Sequence, residues 1–172
     1  VTADNANLLL GSYDGHHANF GVKLTSLTLN DSLLKLNYDA YQSLKLSNLV
    51  SSGNSFLSFS ANFNQGLSDS IDTAATEGNI GIYNIHFDGY GNVGDRITIF
   101  DNANMTINNL DGYTKIYNNL TYKFSQEDNQ LVVASKTLER QKSLVEENEI
   151  LDAQETEIEG AAEGVLNNNG IT

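Results

Sequence analysis

The feature that most constrains this chain is a series of short runs in which apolar and polar residues alternate. Clear examples are residues 21–29, 56–61, 96–100 and 130–133. Alternation with a period of two places one face of an extended segment inward and the other outward, which is the pattern of a half-buried strand. The apolar residues are mostly Leu, Ile, Val, Phe and Tyr, which suit strands. The pattern predicts a mainly β chain.

Segments rich in Asn, Asp, Gly and Ser separate these runs, for example residues 30–31, 52–54 and 111–112. Such residues tolerate the left-handed backbone of tight corners. Many short strands with frequent corners are typical of a sandwich, a barrel or a solenoid. Leu-polar-Leu units recur between Leu24 and Leu49. A solenoid would also explain the many Asn residues, because Asn side chains can stack at the corners of successive coils. We therefore predict a parallel β-helix with coils of about 20 residues, and the alternative is a β-sandwich.

The pattern changes after Ser135. Residues 136–159 are rich in Glu, Lys, Gln, Leu and Ala, which favour helices, and apolar residues recur there every seven positions. We predict a β-rich solenoid domain over residues 1–134, followed by an acidic segment over 135–172 that contains an amphipathic helix and leads to a further module. The last residues are typical of a turn that opens another strand, so we expect the chain to be a segment of a longer protein.

Composition excludes several classes of function. Acidic residues outnumber basic ones 22 to 9, the net charge is −13, and the only arginines are Arg96 and Arg140. Nucleic-acid binding normally requires clustered Lys and Arg, so we predict no nucleic-acid partner. The absence of Cys removes disulfides, thiolate zinc sites and a cysteine nucleophile. No run approaches the roughly 20 apolar residues of a membrane span, so none is predicted.

Residues 88–95, the glycine-rich loop, form the most calcium-like stretch. Asp88, Asn92 and Asp95 supply oxygen atoms, and glycines permit sharp turns. The loop lacks the acidic ligand series of an EF-hand, so its metal occupancy stays open. Its glycines also have the G-x-G-x-x-G spacing of dinucleotide sites, but a strand-like run follows where the pyrophosphate site requires a helix. We therefore predict no cofactor.

Two other groups of residues offer chemistry in principle. His16 and His17 are adjacent, which on a strand would point them to opposite faces, so a solvated turn is the favoured interpretation. His86 is expected at a surface or edge position. Asp69 and Asp72 have the composition of a glycosidase carboxylate pair, but Asp is common in turns. We therefore assign no catalytic residue.

Four stretches of the chain have a residue pattern that is similar to that of a known family. A strand that ends in Gly-x-Ser-Asp (residues 56–69) is followed by a Gly-x-Ile-x-Ile-x-x-Ile run (78–85). A Gly-Asp-x-Ile-Thr-Ile-Phe run (94–100) comes next, and residues 120–133 look like the closing of a coil. Together they resemble the passenger segments of bacterial autotransporter proteins. That resemblance implies a parallel β-helix displayed outside a Gram-negative outer membrane, where it serves adhesion, aggregation or presentation without shared catalytic residues.

These observations predict a non-enzymatic extracellular or cell-surface segment, acting as an adhesin or a structural spacer. Its expected partners are glycans or proteins of a host or neighbouring cell, or further copies of itself. A self-assembling matrix or filament subunit is one alternative. The other is a β-helical enzyme that acts on polysaccharides, although a lyase of acidic sugars would need more Arg and Lys than this chain has.

Overall fold

The computed structural model describes residues 1–11, 24–38 and 40–138. This part of the chain contains sixteen strands and no helix, and so no helix in it is long and apolar enough to cross a membrane. The strands are β1 (Thr2–Asp4), β2 (Asn7–Gly11), β3 (Ser26–Asn30), β4 (Leu33–Asn37), β5 (Ser43–Leu46), β6 (Asn48–Ser52), β7 (Phe56–Asn62), β8 (Leu67–Ser68), β9 (Ser70–Thr73), β10 (Thr76–Gly89), β11 (Arg96–Thr98), β12 (Phe100–Asn102), β13 (Thr106–Ile107), β14 (Lys115–Tyr117), β15 (Leu120–Glu127) and β16 (Gln130–Leu138).

Most strands belong to three parallel ladders. The first contains β1, β3, β6 and the start of β10, and the second contains β2, β4, β7 and the rest of β10. The third contains β5, β9 and β12. Because the chain visits the ladders in the same order on each pass, it winds through about four turns of a solenoid. The predicted β-helix is therefore confirmed, and the sandwich alternative is wrong.

The coils differ in length. In the first ladder Thr2 lies beside Thr28, and Ser26 lies beside Asn48. Fewer residues separate Ser26 from Asn48 than separate Thr2 from Thr28. More residues than in either case separate Ile71 from its third-ladder neighbour Phe100. The extra residues are accommodated at corners and loops, and the ladders keep their register. This variation explains why no constant repeat is visible in the sequence.

The core consists of apolar side chains stacked along the ladders. Leu34 and Leu57 are neighbours in the second ladder, and Leu44, Ile71 and Phe100 are neighbours in the third. All five are essentially fully buried. Removing such a side chain from water contributes about 1.5–3 kcal/mol. The alternating pattern thus places its apolar half between the three ladders.

Serine side chains organise the corner between the first and second ladders. Asn5 and Asp31 adopt positive φ there, and Asp31 belongs to a predicted corner. The Ala6 N–H donates to Ser32 Oγ at 3.1 Å, and the Ser32 N–H donates to Ser55 Oγ at 3.1 Å. Each hydroxyl therefore satisfies a backbone group of the preceding coil, which would be costly to leave unpaired when buried.

Asparagine also stacks between coils, although rarely on another asparagine. Asn108 Nδ2 donates to Asn79 Oδ1 at 2.6 Å, which is the predicted Asn–Asn contact. Asn30 instead donates to Asp4 at 3.0 Å and accepts from Ser52 at 3.1 Å. The predicted ladder is thus a mixed polar ladder, because Asp and Ser present oxygen atoms at the same corner.

Strand β10 passes from the first ladder to the second without a break. It is 14 residues long, and Gly78 lies at the corner with φ of +91°. A Cβ at this position would collide with the carbonyl oxygen of Ser51 on the preceding coil. Only glycine fits both this backbone conformation and this close approach.

Strands β14, β15 and β16, which follow the last coil, form a four-stranded sheet with β11, and β11 and β16 are antiparallel in it. Phe124 packs against Phe63 with 5.4 Å between ring centroids, and Tyr122 packs edge-on against Phe87 at 5.0 Å. These aromatic contacts join the third and fourth coils to β15.

Strand β16 continues to Leu138, so the predicted helical start at Lys136 is wrong. Residues 136–138 have helix-forming composition, but sheet pairing overrides local propensity. The rest of the predicted C-terminal helix lies outside the described residues. Of the described residues, 1–11, 24–38, 40–117 and 122–136 belong to one compact unit, and 118–121 with 137–138 belong to a second. The solenoid coils lie in the first unit.

Candidate functional site

A groove of about 350 Å³ lies on the outward face of the second ladder. We call it the serine groove. Its polar lining consists of Lys35 and Asn37 from β4, Ser58 and Ser60 from β7, and Asn84 and His86 from β10. Three successive coils therefore contribute two polar side chains each.

The groove follows from the sizes of side chains that share a register. Lys35, Ser58 and Asn84 lie side by side across the three strands, and Ser60 lies beside His86. The middle strand carries small serines, whereas the flanking strands carry longer side chains. Adjacent strands are about 4.8 Å apart, so the two rims lie about 10 Å apart. The serines form the floor, and the Lys, Asn and His side chains form the walls.

The groove offers hydrogen-bonding groups that the protein leaves unused. Ser58 and Ser60 are only 5% and 8% exposed, and their hydroxyls have no partner among the described residues. The Lys35 ammonium is exposed and makes no ion pair within the described part of the chain. Asn84 Oδ1 accepts from Lys115 Nζ at 3.0 Å, which leaves its amide N–H groups available. The open groups are therefore mainly donors.

Asp69 lies next to the groove floor and has no exposed surface. Its Oδ2 accepts from the Ser60 N–H at 3.2 Å, and its own N–H donates to the Ser60 carbonyl at 3.0 Å. Oδ1 has no hydrogen-bond partner. Burial, assisted by the negative charge of Asp88, raises the pKa of Asp69 to about 6, although the backbone N–H groups of Ser60, Gln42 and Tyr38 favour the ionised form.

A tyrosine and a histidine hold Asp88 beside one wall of the groove. Tyr41 Oη donates to Asp88 Oδ2 at 2.5 Å, and His86 Nε2 lies 3.3 Å from Asp88 Oδ1. Burial and the Asp88 carboxylate raise the pKa of Tyr41, so the phenol stays protonated and remains a donor. One oxygen of Asp88 therefore accepts a hydrogen bond, the other lies within ion-pair distance of His86, and the Asp88 side chain stays 42% exposed.

The structure gives the three oxygen donors of the glycine-rich loop different partners. Asp88 faces Tyr41 and His86, whereas Asp95 Oδ2 accepts from the Asn92 N–H at 2.8 Å. Asn92 Oδ1 accepts from Lys136 Nζ at 3.1 Å. Within the described residues, no three His, Asp or Glu side chains lie close enough together to hold a metal ion. Strand β11 follows the loop, as the sequence pattern predicted.

Asp69 and Asp72 are not brought together as a carboxylate pair. Asp72 lies in β9, where Oδ2 contacts Lys45 Nζ at 3.2 Å and Oδ1 accepts from Asn102 Nδ2. Asp69 is buried next to Ser60 instead. His16 and His17 lie outside the described residues. His86 lies at an exposed strand position, as predicted, although its contact with Asp88 was not foreseen.

Sequence motifs do not reveal the groove residues. Ser58 and Ser60 alternate with apolar neighbours in β7, which identifies them only as outward-facing. Only their size could have indicated a groove, because two small polar residues on an outward face leave room for a ligand. Their position beside Lys35 and Asn84 requires the coil register.

Comparison with known proteins yields no relative for this chain. No family model matches it, no curated protein matches it, and no solved structure matches it. The solenoid and the serine groove are therefore the features from which a function can be inferred.

Proposed function

We propose that the chain is a non-enzymatic binding segment of an exported bacterial surface protein. It acts as an adhesin, and its stacked coils have the form of a structural spacer. The serine groove is the observation that supports this proposal best. It is a concave, polar surface built by three coils, with donors that the protein does not use itself. Such a surface suits reversible binding to the exterior of another cell, whether the partner is a glycan or a protein.

The carboxylates around the groove favour binding over turnover. A glycosidase needs two carboxyl groups that face the scissile bond. Asp69 has no exposed surface, whereas Asp88 is exposed, accepts from Tyr41 and lies 3.3 Å from His86. The described lining of the groove therefore holds no pair of exposed carboxyl groups.

The proposed location outside a Gram-negative cell is supported by the pattern of the strand runs and by the composition. The chain has no Cys and a net charge of −13, and its strand runs resemble autotransporter passenger segments. A solenoid whose outward faces are polar suits display in water, because each coil buries its apolar side chains within the stack.

Adhesion of coated beads tests this proposal. Beads carrying the chain are expected to be retained on bacterial or host cell layers above the level of albumin-coated beads. The same protein is expected to release no reducing ends from a panel of neutral and acidic polysaccharides. Retention no better than albumin would refute the adhesin, and product release that vanishes in the Asp88→Asn variant would refute the non-enzymatic assignment.

A second candidate function is self-assembly, which edge strands at the first and last coils favour. Within the described residues, β1 pairs only with β3 and β2 only with β4 at the first coil, and β12 pairs only with β9 at the last. Unpaired backbone groups on such edges are templates for strands of another chain. The strands of a second copy would then extend the solenoid.

Electron microscopy of concentrated protein separates the two candidates. Assembly predicts ordered filaments, and a Leu9→Lys substitution on β2 should reduce them because edge lysines oppose pairing. Leu67→Lys is a matched control, since Leu67 is also an exposed leucine but lies in the short strand β8. Monodisperse particles at all concentrations would contradict self-assembly.

A further inference from the structure

We propose that the serine groove binds a saccharide chain that carries carboxylate groups, with Lys35 as the partner of a carboxylate. This inference depends on the proposed binding function and names its ligand class. It follows from three properties of the groove: its shape, its excess of donors and its unpaired cation.

The shape of the groove suits a narrow, polar chain. Its volume of about 350 Å³ is at the lower end of the range for small-molecule sites. Its width of about 10 Å is set by two inter-strand spacings. The groove lies on the face of a ladder, where backbone groups are already paired, so a peptide cannot bind here by adding a strand. Leu36 and Phe59 also line the groove, but both are at most 2% exposed, so they offer little apolar surface to anchor a peptide side chain.

The hydrogen-bonding groups of the groove are complementary to a ligand rich in acceptors. Lys35 and the Asn84 amide nitrogen can only donate, and the acceptor atom of Asn84 is taken by Lys115. The Ser58 and Ser60 hydroxyls can both donate and accept. Sugar hydroxyls match the serines, and a sugar carboxylate matches the lysine, because charge-assisted hydrogen bonds are the stronger ones.

Lys35 carries a charge that no carboxylate of the described residues neutralises, and Lys115, whose Nζ contacts Asn84 Oδ1 beside the groove, is a second lysine of this kind. In a chain of net charge −13, Lys45 and Arg96 each face a carboxylate, Asp72 at 3.2 Å and Glu127 at 3.0 Å. Lys35 has no such partner among the described residues. A carboxylate of the ligand would supply this missing partner for Lys35 at the groove wall.

Titration calorimetry on the full chain tests this proposal. The probe is a hexasaccharide of alternating glucuronic acid and N-acetylglucosamine, and its control is the same hexasaccharide with the carboxylates reduced to alcohols. Wild-type protein should bind the acidic form about tenfold more tightly than the reduced form, because one charge-assisted hydrogen bond is lost.

Two charge-matched variants locate the contact. Lys35→Gln should weaken binding of the acidic hexasaccharide about tenfold and abolish the preference over the reduced form. Lys45→Gln removes the same charge from the third ladder and should change the affinity less than about twofold, because exposed charges act weakly at a distance. Ser58→Leu, which fills the floor, should prevent binding of both sugars, and circular dichroism checks that it folds.

Several results would overturn the inference. Equal affinity for the acidic and reduced sugars would show that the carboxylate is not recognised. Equal losses of affinity in the two lysine variants would show that Lys35 acts only through long-range charge. No binding of either sugar would exclude the ligand class. Bead adhesion that persists in Lys35→Gln and Ser58→Leu would keep the proposed adhesin while refuting the groove as its site.

Discussion

Replacing Asp69 by Asn should remove a pH-dependent contribution to stability. Asn retains an oxygen that accepts from the Ser60 N–H, and it carries no charge. The pKa of Asp69 rises from 3.8 in the unfolded reference to about 6 in the folded protein. Each pKa unit corresponds to about 1.4 kcal/mol, so burial of the ionised carboxylate costs about 3 kcal/mol of unfolding free energy at neutral pH.

The sign follows from proton binding. Because the pKa is higher in the folded protein, the folded state binds the Asp69 proton more tightly than the unfolded chain does. The resulting stabilisation is fully present below about pH 3.8 and is lost as the pH rises through about 6. Between pH 7.5 and pH 5, the wild-type protein should therefore gain about 1.4 kcal/mol relative to Asp69→Asn.

Urea denaturation of both proteins at pH 7.5, 6 and 5 measures this difference, since the other titrating groups are common to both. Asp72→Asn is the matched control. Asp72 contacts the 77% exposed Lys45 side chain, and exposed ion pairs contribute at most about 1 kcal/mol. A difference between wild type and Asp69→Asn that stays constant over this pH range would refute the argument that burial raises the pKa of Asp69.

Three further predictions concern the solenoid and the glycine-rich loop. Gly78→Ala should lower the unfolding free energy by about 2–4 kcal/mol, because its Cβ collides with a carbonyl of the preceding coil; Gly112→Ala, which has open space around it, should be nearly neutral in the same urea titration. Ser55→Ala should cost about 1–3 kcal/mol, since it leaves the buried Ser32 N–H unpaired, and a loss below about 0.5 kcal/mol by denaturation would contradict this corner role. About 5 mM calcium should leave the melting temperature unchanged, because the oxygen donors of the glycine-rich loop have separate partners; a rise of many degrees in a thermal scan would show that they rearrange around the ion.

The strands and corners could be predicted because their signals are local. Alternation in residues 56–61 identifies β7 from neighbouring residues alone, and Asp31 identifies a corner through its tolerance of positive φ. The solenoid could also be predicted from local sequence patterns, since many short strands with polar corners suit stacked coils. Lys136 shows the limit of local patterns, because it continues strand β16 although the residues after it favour a helix.

The serine groove could not be predicted because it depends on register. Lys35 lies beside Ser58 and Ser58 lies beside Asn84, and the two intervals along the chain are unequal. Coils of unequal length hide these neighbours from any search at a fixed period. The burial of Asp69 escapes a local pattern for the same reason, because it arises only when β7 and β8 pair next to it.

The shared register of the ladders makes one coil removable. Thr28 lies beside Thr2 on one side and Val50 on the other, so excision of residues 26–47 would bring β1 directly against β6 and β2 against β7. Solenoid stability is approximately a sum over coils and their interfaces, so the shortened chain should still fold, with less stability, which circular dichroism and urea titration would reveal. The excised coil carries Lys35, one wall of the serine groove. Removal of this one coil would therefore shorten the scaffold by a module and take a wall of the binding surface with it.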